Sequence, residues 1–301
     1  MNSSTRLALL HELEPAIESL LARHRSSMQP WAPSDFLDSE LHRGQRRPAL
    51  SETAKAALVT TLLTHNNTAR SLHAIRTPSR GSWWGWSEQW TAEKELHADA
   101  IQQYLVASAS VDPVALDRAR FQCMTIGIES PMEGDHLLRS IAHATIDVMA
   151  TMASHRNTAV ECADPVAEAL LGRILADQER HVSFYRDIAA AALEIAPART
   201  VKAITEVVMN FRMPGTGLAG FERSAMLIAR DGIYDLRCHL DEVLLPALRQ
   251  WRIFERTDLG VGEASRSVLA DFLDDLENQA TAAEQLRLRA RAREAETLRA
   301  S

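Results

Sequence analysis

The chain is short of every feature that would place it in a disulfide-built, membrane-spanning or nucleic-acid-binding class. Its three cysteines, Cys123, Cys162 and Cys238, are odd in number and far apart. That fits neither a disulfide framework nor a zinc-ligand spacing and points to a reducing, cytoplasmic setting. Nowhere is there an uninterrupted run of about 18 apolar residues, the length a spanning helix needs. The opening Met-Asn-Ser-Ser-Thr-Arg also lacks the basic-then-apolar order of a secretory leader. Thirty-three basic residues are interspersed with 40 acidic ones for a net charge of -7, so no basic stripe exists and nucleic acid is excluded as a partner. Glycine (12), proline (11) and aromatics (5%) are sparse in a 301-residue chain that is 46% hydrophobic. Such a chain can bury a large core and reads as mostly helical.

Periodicity supplies the helices. Leu10, Leu13, Ile17, Leu20 and Leu21 define an opening helix over about residues 5 to 25, kinked or restarted at Pro15. Residues 26 to 50 carry Pro, Ser and Arg without a period and read as a wrapping loop. Ser51 caps a helix with Leu58, Leu62, His65, Ala69 and Leu72 on one face. A second long helix aligns Trp86, Trp90, Glu93 or Lys94, His97, Ile101 and Tyr104. A third runs through Ile141, Thr145, Val148, Met152 and His155. A fourth starts at the Asp164 cap with Pro165 in its first turn and carries Leu171, Ile174, Gln178 and His181 inward. Shorter helices follow at about 199 to 212, 221 to 230, 235 to 250 and 262 to 295. Residues 1–280 read as one helical domain, and 281–301 as a charged helical or disordered tail.

Two of these helices present an acid and a histidine four residues apart, Glu93-Lys-Glu-Leu-His97 and Asp177-Gln-Glu-Arg-His181. Dinuclear carboxylate sites in helical bundles use Glu-x-x-His, with the acid three residues before the histidine, on two helices and a lone Glu on each of the other two. Counting back three residues lands on Lys94 and Gln178 instead.

The order of several short motifs resembles the soluble acyl-acyl-carrier-protein desaturases, in particular the bacterial branch, over nearly the whole chain. They are Leu10-His-Glu-Leu-Glu-Pro15, Trp31-Ala-Pro-Ser-Asp-Phe36, Trp90-Thr-Ala-Glu93, Ser154-His-Arg-Asn-Thr158, Asp164-Pro-Val-Ala, Phe184-Tyr-Arg-Asp187, Met213-Pro-Gly, His239-Leu-Asp-Glu242 and Trp251-Arg-Ile-Phe-Glu-Arg256. The resemblance implies an all-α, ferritin-like four-helix bundle with additional helices, assembled as a homodimer. It implies a fatty acyl chain presented on acyl carrier protein, and two irons fed by ferredoxin that use dioxygen to introduce a cis double bond. It also implies four glutamates and two histidines as iron ligands.

Carried over residue by residue, only the histidines, His97 and His181, are kept. The four glutamate positions fall on His65, Lys94, Val148 and Gln178. The acids beside the ligand positions, Glu93 and Asp177, together with Trp31, match family residues that orient the histidines from behind. Four buried carboxylates with no metal among them would repel one another, so a chain without the irons is expected to lack all four together. The expectation is therefore a divergent paralogue that binds acyl groups, acylated carrier protein or a desaturase chain, as a homodimer or as a heterodimer with a paralogue, and holds no metal. The alternative is an active desaturase or other oxidoreductase with a remodelled single-metal site on His65, His97 and His181.

Overall fold

The computed structural model describes residues 3–37, 49–73, 81–126, 137–212, 216 and 220–300, with backbone only for 3–7, 65–73, 124–126, 291 and 293–300. Among these residues the regular structure is entirely helical. The first helix, α1, is Ser3–Ser27 and contains Pro15 without an interruption in its span. A single helical turn, α2 (Ser34–Leu37), forms inside the segment expected to be a plain loop. Its start is fixed locally, because Asp35 Oδ2 accepts the Ala32 N–H at 2.8 Å.

Four long helices form the bundle: α3 (Glu52–His73), α4 (Ser82–Ala107), α6 (Leu137–Cys162) and α7 (Pro165–Ile195). Each packs on two others, α3 on α4 and α6, and α7 on α4 and α6, which closes a four-membered ring. Where side chains are described, the stripes read from sequence are the faces that meet. Trp86, Trp90, His97 and Ile101 of α4 are fully buried, as are Val148 and His155 of α6 and Ile174, Gln178 and His181 of α7. The α7 start follows the expected chemistry: Asp164 accepts the Val166 N–H at 3.1 Å while Pro165 occupies the first turn. The Tyr104 hydroxyl donates to the other oxygen of the same carboxylate at 2.7 Å, tying the end of α4 to that cap.

The remaining helices clothe the bundle. Short α5 (Pro113–Ile126) and α9 (Phe221–Arg230) lie against α3, and α1 covers the α4 and α7 edge. Strongly amphipathic α8 (Pro197–Asn210) packs on α6 and α7, and α12 (Glu263–Ala300) covers α8. Between them the chain runs from α10 (Leu236–Cys238) through one wide π turn, His239–Leu244, into α11 (Leu245–Gln250). Nothing in the residue types of that stretch distinguishes the π turn from ordinary helix.

The buried apolar residues form two clusters along the bundle. One holds Trp83, Trp86, Trp90, Ile141, Val148, Phe184 and Tyr185, and the other holds Leu58, Leu62, Ile101, Tyr104, Leu170 and Ile174. On α4 the residues between the two clusters are Glu93, Lys94 and His97, and on α7 they are Asp177, Gln178 and His181, all buried. A polar belt thus crosses the middle of the core. No helix among the described residues is long and apolar enough to cross a membrane.

Candidate functional site

The belt is built on a reciprocal exchange between α4 and α7. Although each acid sits four residues before a histidine of its own helix, each bonds the histidine of the other. His181 Nε2 lies 2.7 Å from Glu93 Oε2, and His97 Nε2 lies 3.0 Å from Asp177 Oδ2. A third histidine that the sequence reading passed over, His24 of α1, places its Nε2 2.8 Å from Glu93 Oε1. Its position was legible, because His24 continues the buried stripe Ile17 and Leu21 at steps of four and three.

Both carboxylates are stabilised as anions. Burial pushes the Glu93 carboxyl up, but hydrogen bonds from His181 and His24 outweigh it and leave the group well below the usual carboxylate range. Gln89 Nε2 donates to the same carboxylate at 2.8 Å. For Asp177 burial is again opposed by His97 and by the Trp31 indole, which donates at 2.9 Å, and the net shift is downward. Arg173 pairs with Asp177 at 2.7 Å, and Arg180 pairs with the same oxygen. These two arginines lie four residues before and three after Asp177 and close over it. Arg173 also covers the Trp31 ring, 5.6 Å from its centroid, and Trp31 stacks on His97.

His97 and His181 are neutral bases. Burial drives His181 down to about 4 against the raising effect of Glu93, and it lowers His97 against Asp177 in the same way. With ionised carboxylates able only to accept, a ring proton is assigned to Nε2 of His24, His97 and His181, which leaves Nδ1 of His97 and His181 as the lone-pair nitrogen. The His97 and His181 ring centroids are 5.9 Å apart.

The positions matched to iron-binding glutamates have a different chemistry. Lys94 is 2% exposed, with Nζ 5.4 Å from the Trp90 centroid. Burial lowers its pKa and the charge of Asp147 opposes that. Val148 is fully buried in the apolar cluster beside α8 and offers no donor atom. Gln178 Oε1 accepts from His155 Nδ1 at 2.9 Å, and burial takes His155 down to about 3. The side chain of His65 lies outside the described residues, so the proposed trio of His65, His97 and His181 is placed only at its last two members.

Among the described residues one other group brings three ligand atoms within 4.8 Å of one another, His24, Glu93 and His181. Its geometry is that of a hydrogen-bonded triad. Binding an ion through the two Nε2 atoms would move both ring protons to Nδ1, and neither Nδ1 has a hydrogen-bond partner among the described residues. Metal-bound histidines ordinarily donate from the second nitrogen.

The sequence profile of the fatty acid desaturase family matches residues 5–301 of the chain. The chain belongs to that family. As an acyl-acyl-carrier-protein desaturase family member it is 40% identical, over 294 residues, to a protein described as putative acyl-[acyl-carrier-protein] desaturase DesA1 of Mycobacterium tuberculosis. That alignment covers 91% of this chain and 86% of the relative. A chloroplast stearoyl-[acyl-carrier-protein] 9-desaturase 6 of Arabidopsis thaliana is 26% identical over 78% of this chain and 64% of its own length. The X-ray structure of the putative acyl-ACP desaturase DesA2 from Mycobacterium tuberculosis superposes with a TM-score of 0.65, at 23% identity, over 85% of this family member and 99% of that chain. That likeness carries the fold, and it agrees with the closed helical ring and its covering helices.

Two irons in this family's manner require hard oxygen ligands from several helices. Lys94, Val148 and Gln178 supply an amino group, an isopropyl group and an amide already committed to His155. These residues do not fit a di-iron centre.

Proposed function

We propose that the chain is a divergent acyl-acyl-carrier-protein desaturase homologue that binds a fatty acyl group on acyl carrier protein, or a desaturase chain, without an ordinary di-iron centre. One observation carries the reading: a buried lysine, a valine and a hydrogen-bonded glutamine stand where the family's carboxylates would hold metal. The bundle around them is intact, and Glu93 and Asp177 still hydrogen-bond His181 and His97 across it. What is retained is therefore the scaffold that encloses an apolar chain. What differs is the set of atoms that would oxidise it.

In this reading the partners are an acylated carrier protein and a second desaturase-type chain, either another copy or a paralogue with four carboxylates, and ferredoxin has nothing to reduce. Residues 1–280 form the binding domain and 281–301 its charged tail. A reducing, cytoplasmic setting suits the cysteines, since burial pushes the Cys162 and Cys238 thiols up to about 12 and keeps them unreactive.

The test is to offer the full chain ferrous iron without oxygen, remove the excess and measure bound metal. Binding of stearoyl-acyl carrier protein is compared in parallel with binding of the unacylated carrier. We expect no stoichiometric iron and a preference for the acylated carrier. Two irons per chain would restore the desaturase reading. A single metal lost on His97→Ala or His181→Ala would favour the remodelled histidine site, and equal affinity for both carriers would remove the acyl-binding role.

A further inference from the structure

Where α4 and α7 face each other, five fully buried side chains, Trp86, Trp90, Gln178, His181 and Tyr185, each leave one polar atom without a hydrogen-bond partner. Four of them are rings in edge contact across the two helices. Trp86 and Trp90 meet Tyr185 with centroids 5.4 and 5.5 Å apart, and meet His181 at 6.1 and 6.3 Å, with the planes inclined by 77° or 79°. Gln178 lies three residues before His181 and seven before Tyr185, which puts all three on one face of α7. The Trp86 indole sits close enough to the Tyr185 hydroxyl to oppose the rise in its pKa that burial causes, yet no hydrogen bond of ordinary geometry joins them.

Polar atoms stripped of water in this way cost free energy until a partner reaches them. Their chemistry says what that partner must offer. The unpaired indole N–H groups and the Gln178 amide nitrogen only donate, the His181 Nδ1 lone pair only accepts, and the Tyr185 hydroxyl does either. A methylene chain offers neither function, a ketone or ether only accepts, and an ammonium only donates. An alcohol accepts from up to two donors and donates once, which suits a set with more donors than acceptors. Gln178 and His181 also occupy matched ligand positions, so a chain held for oxidation by the family's irons would pass beside them. A plain acyl chain there would leave every one of these atoms stranded, and a site with buried polar groups discriminates against a ligand that cannot pair them.

Resting on the acyl-binding reading above, we propose that Trp86, Trp90, Gln178, His181 and Tyr185 form a hydroxyl-recognition subsite, and that the acyl group this chain takes carries a mid-chain alcohol. The donors of both helices converge on its oxygen, and its proton goes to His181 Nδ1.

The test uses the full chain with 15N in the indoles of its six tryptophans. Stearoyl-acyl carrier protein is compared with a panel of hydroxystearoyl carriers whose hydroxyl is stepped along the chain, and with the matching oxostearoyl carriers. One hydroxyl position should bind about tenfold or more tightly than stearoyl. It should also move the Trp86 and Trp90 indole N–H signals downfield, as assigned with Trp86→Phe and Trp90→Phe, and Tyr185→Phe should reduce the preference. The oxo form should bind less tightly, having no proton for His181, and an equal affinity would overturn the choice of an alcohol. Equal affinity for stearoyl and every hydroxystearoyl overturns the subsite while leaving the acyl-binding reading in place. A preference that leaves both indole signals unmoved puts the hydroxyl elsewhere and overturns it too, as does slowly exchanging internal water that stays in contact with the two indole N–H groups in the complex. Failure of every acylated carrier to bind more tightly than the unacylated one sinks the acyl-binding reading and the subsite with it.

Discussion

Lowering the pH from 7 to 5 should cost this protein much of its stability, because its core holds histidines that cannot take up protons while folded. His155 is driven down to about 3, and His181 and His239 to about 4, in each case chiefly by burial. In the unfolded chain each titrates near the ordinary value of about 6.5. Between these limits the unfolded state binds more protons than the folded one, so stability rises with pH and falls on acidification. Each such histidine contributes up to about 1.4 kcal/mol per pH unit, so the three together reach a slope of about 4 kcal/mol per unit. Integrated from pH 7 to 5 the loss is about 6 kcal/mol, a large share of a typical stability of about 5–15 kcal/mol. The depressed carboxyls of Glu93 and Asp177 do not offset it. Their contribution is fully present above the unfolded carboxylate pKa and is lost only as pH falls below about 4.5, in the same direction. Urea unfolding followed by circular dichroism at half-unit pH steps measures the slope. His239→Phe, which removes one of the three titrating rings, should reduce it by about a third. A flat profile between pH 7 and 5, or one that rises toward acid, would show that these rings are not held neutral in the fold.

Three further substitutions test how the site is held in place. Asp164→Ala removes both the α7 cap and the acceptor of the Tyr104 hydroxyl. It should lower urea-unfolding stability by about 2–4 kcal/mol. Gly262→Ala would bring a Cβ to 2.8 Å from the Ala198 Cα, a backbone atom that cannot rotate away. A drop in melting temperature corresponding to about 1–3 kcal/mol should follow from the strained docking of α12 on α8. Trp31→Phe deletes the indole donor to Asp177 while keeping an aromatic ring over His97. A loss of about 1–2 kcal/mol in the same unfolding assay is expected, since Asp177 keeps its two arginines.

Much of this architecture was legible in the sequence, because the four bundle helices carry long stripes at helical spacing and, where side chains are described, those stripes are the buried faces. The α7 start was legible for a local reason, an aspartate cap followed by proline. What sequence missed divides by cause. His24 and the pair Arg173 and Arg180 were written in their spacing, one extending a stripe and the others flanking Asp177 on one helical face, but none of them belongs to the acid-histidine pairs that drew the reading. The π turn at His239–Leu244 was not written locally at all, since one extra residue per turn depends on packing rather than on the residues in it. The α2 turn depends on a single aspartate accepting a backbone N–H, too small a signal to separate from a loop.

The retention of His97 and His181 carries no weight in favour of a metal. Each imidazole donates to a carboxylate of the opposing helix, and those carboxylates are in turn supplied by Gln89 and His24 on one side and by Trp31, Arg173 and Arg180 on the other. Replacing either histidine with an apolar residue would strand a buried anion short of a donor, which is costly whether or not an ion is ever bound. The carboxylates facing the metal are in the opposite position. Without cations between them they are mutually repulsive, and nothing in the core would hold them charged. The two sets of residues are thus selected by different physics, one by hydrogen bonding within the protein and one by the ion. Keeping the first set while substituting Lys94, Val148 and Gln178 in the second is the pattern that the proposed metal-free reading predicts.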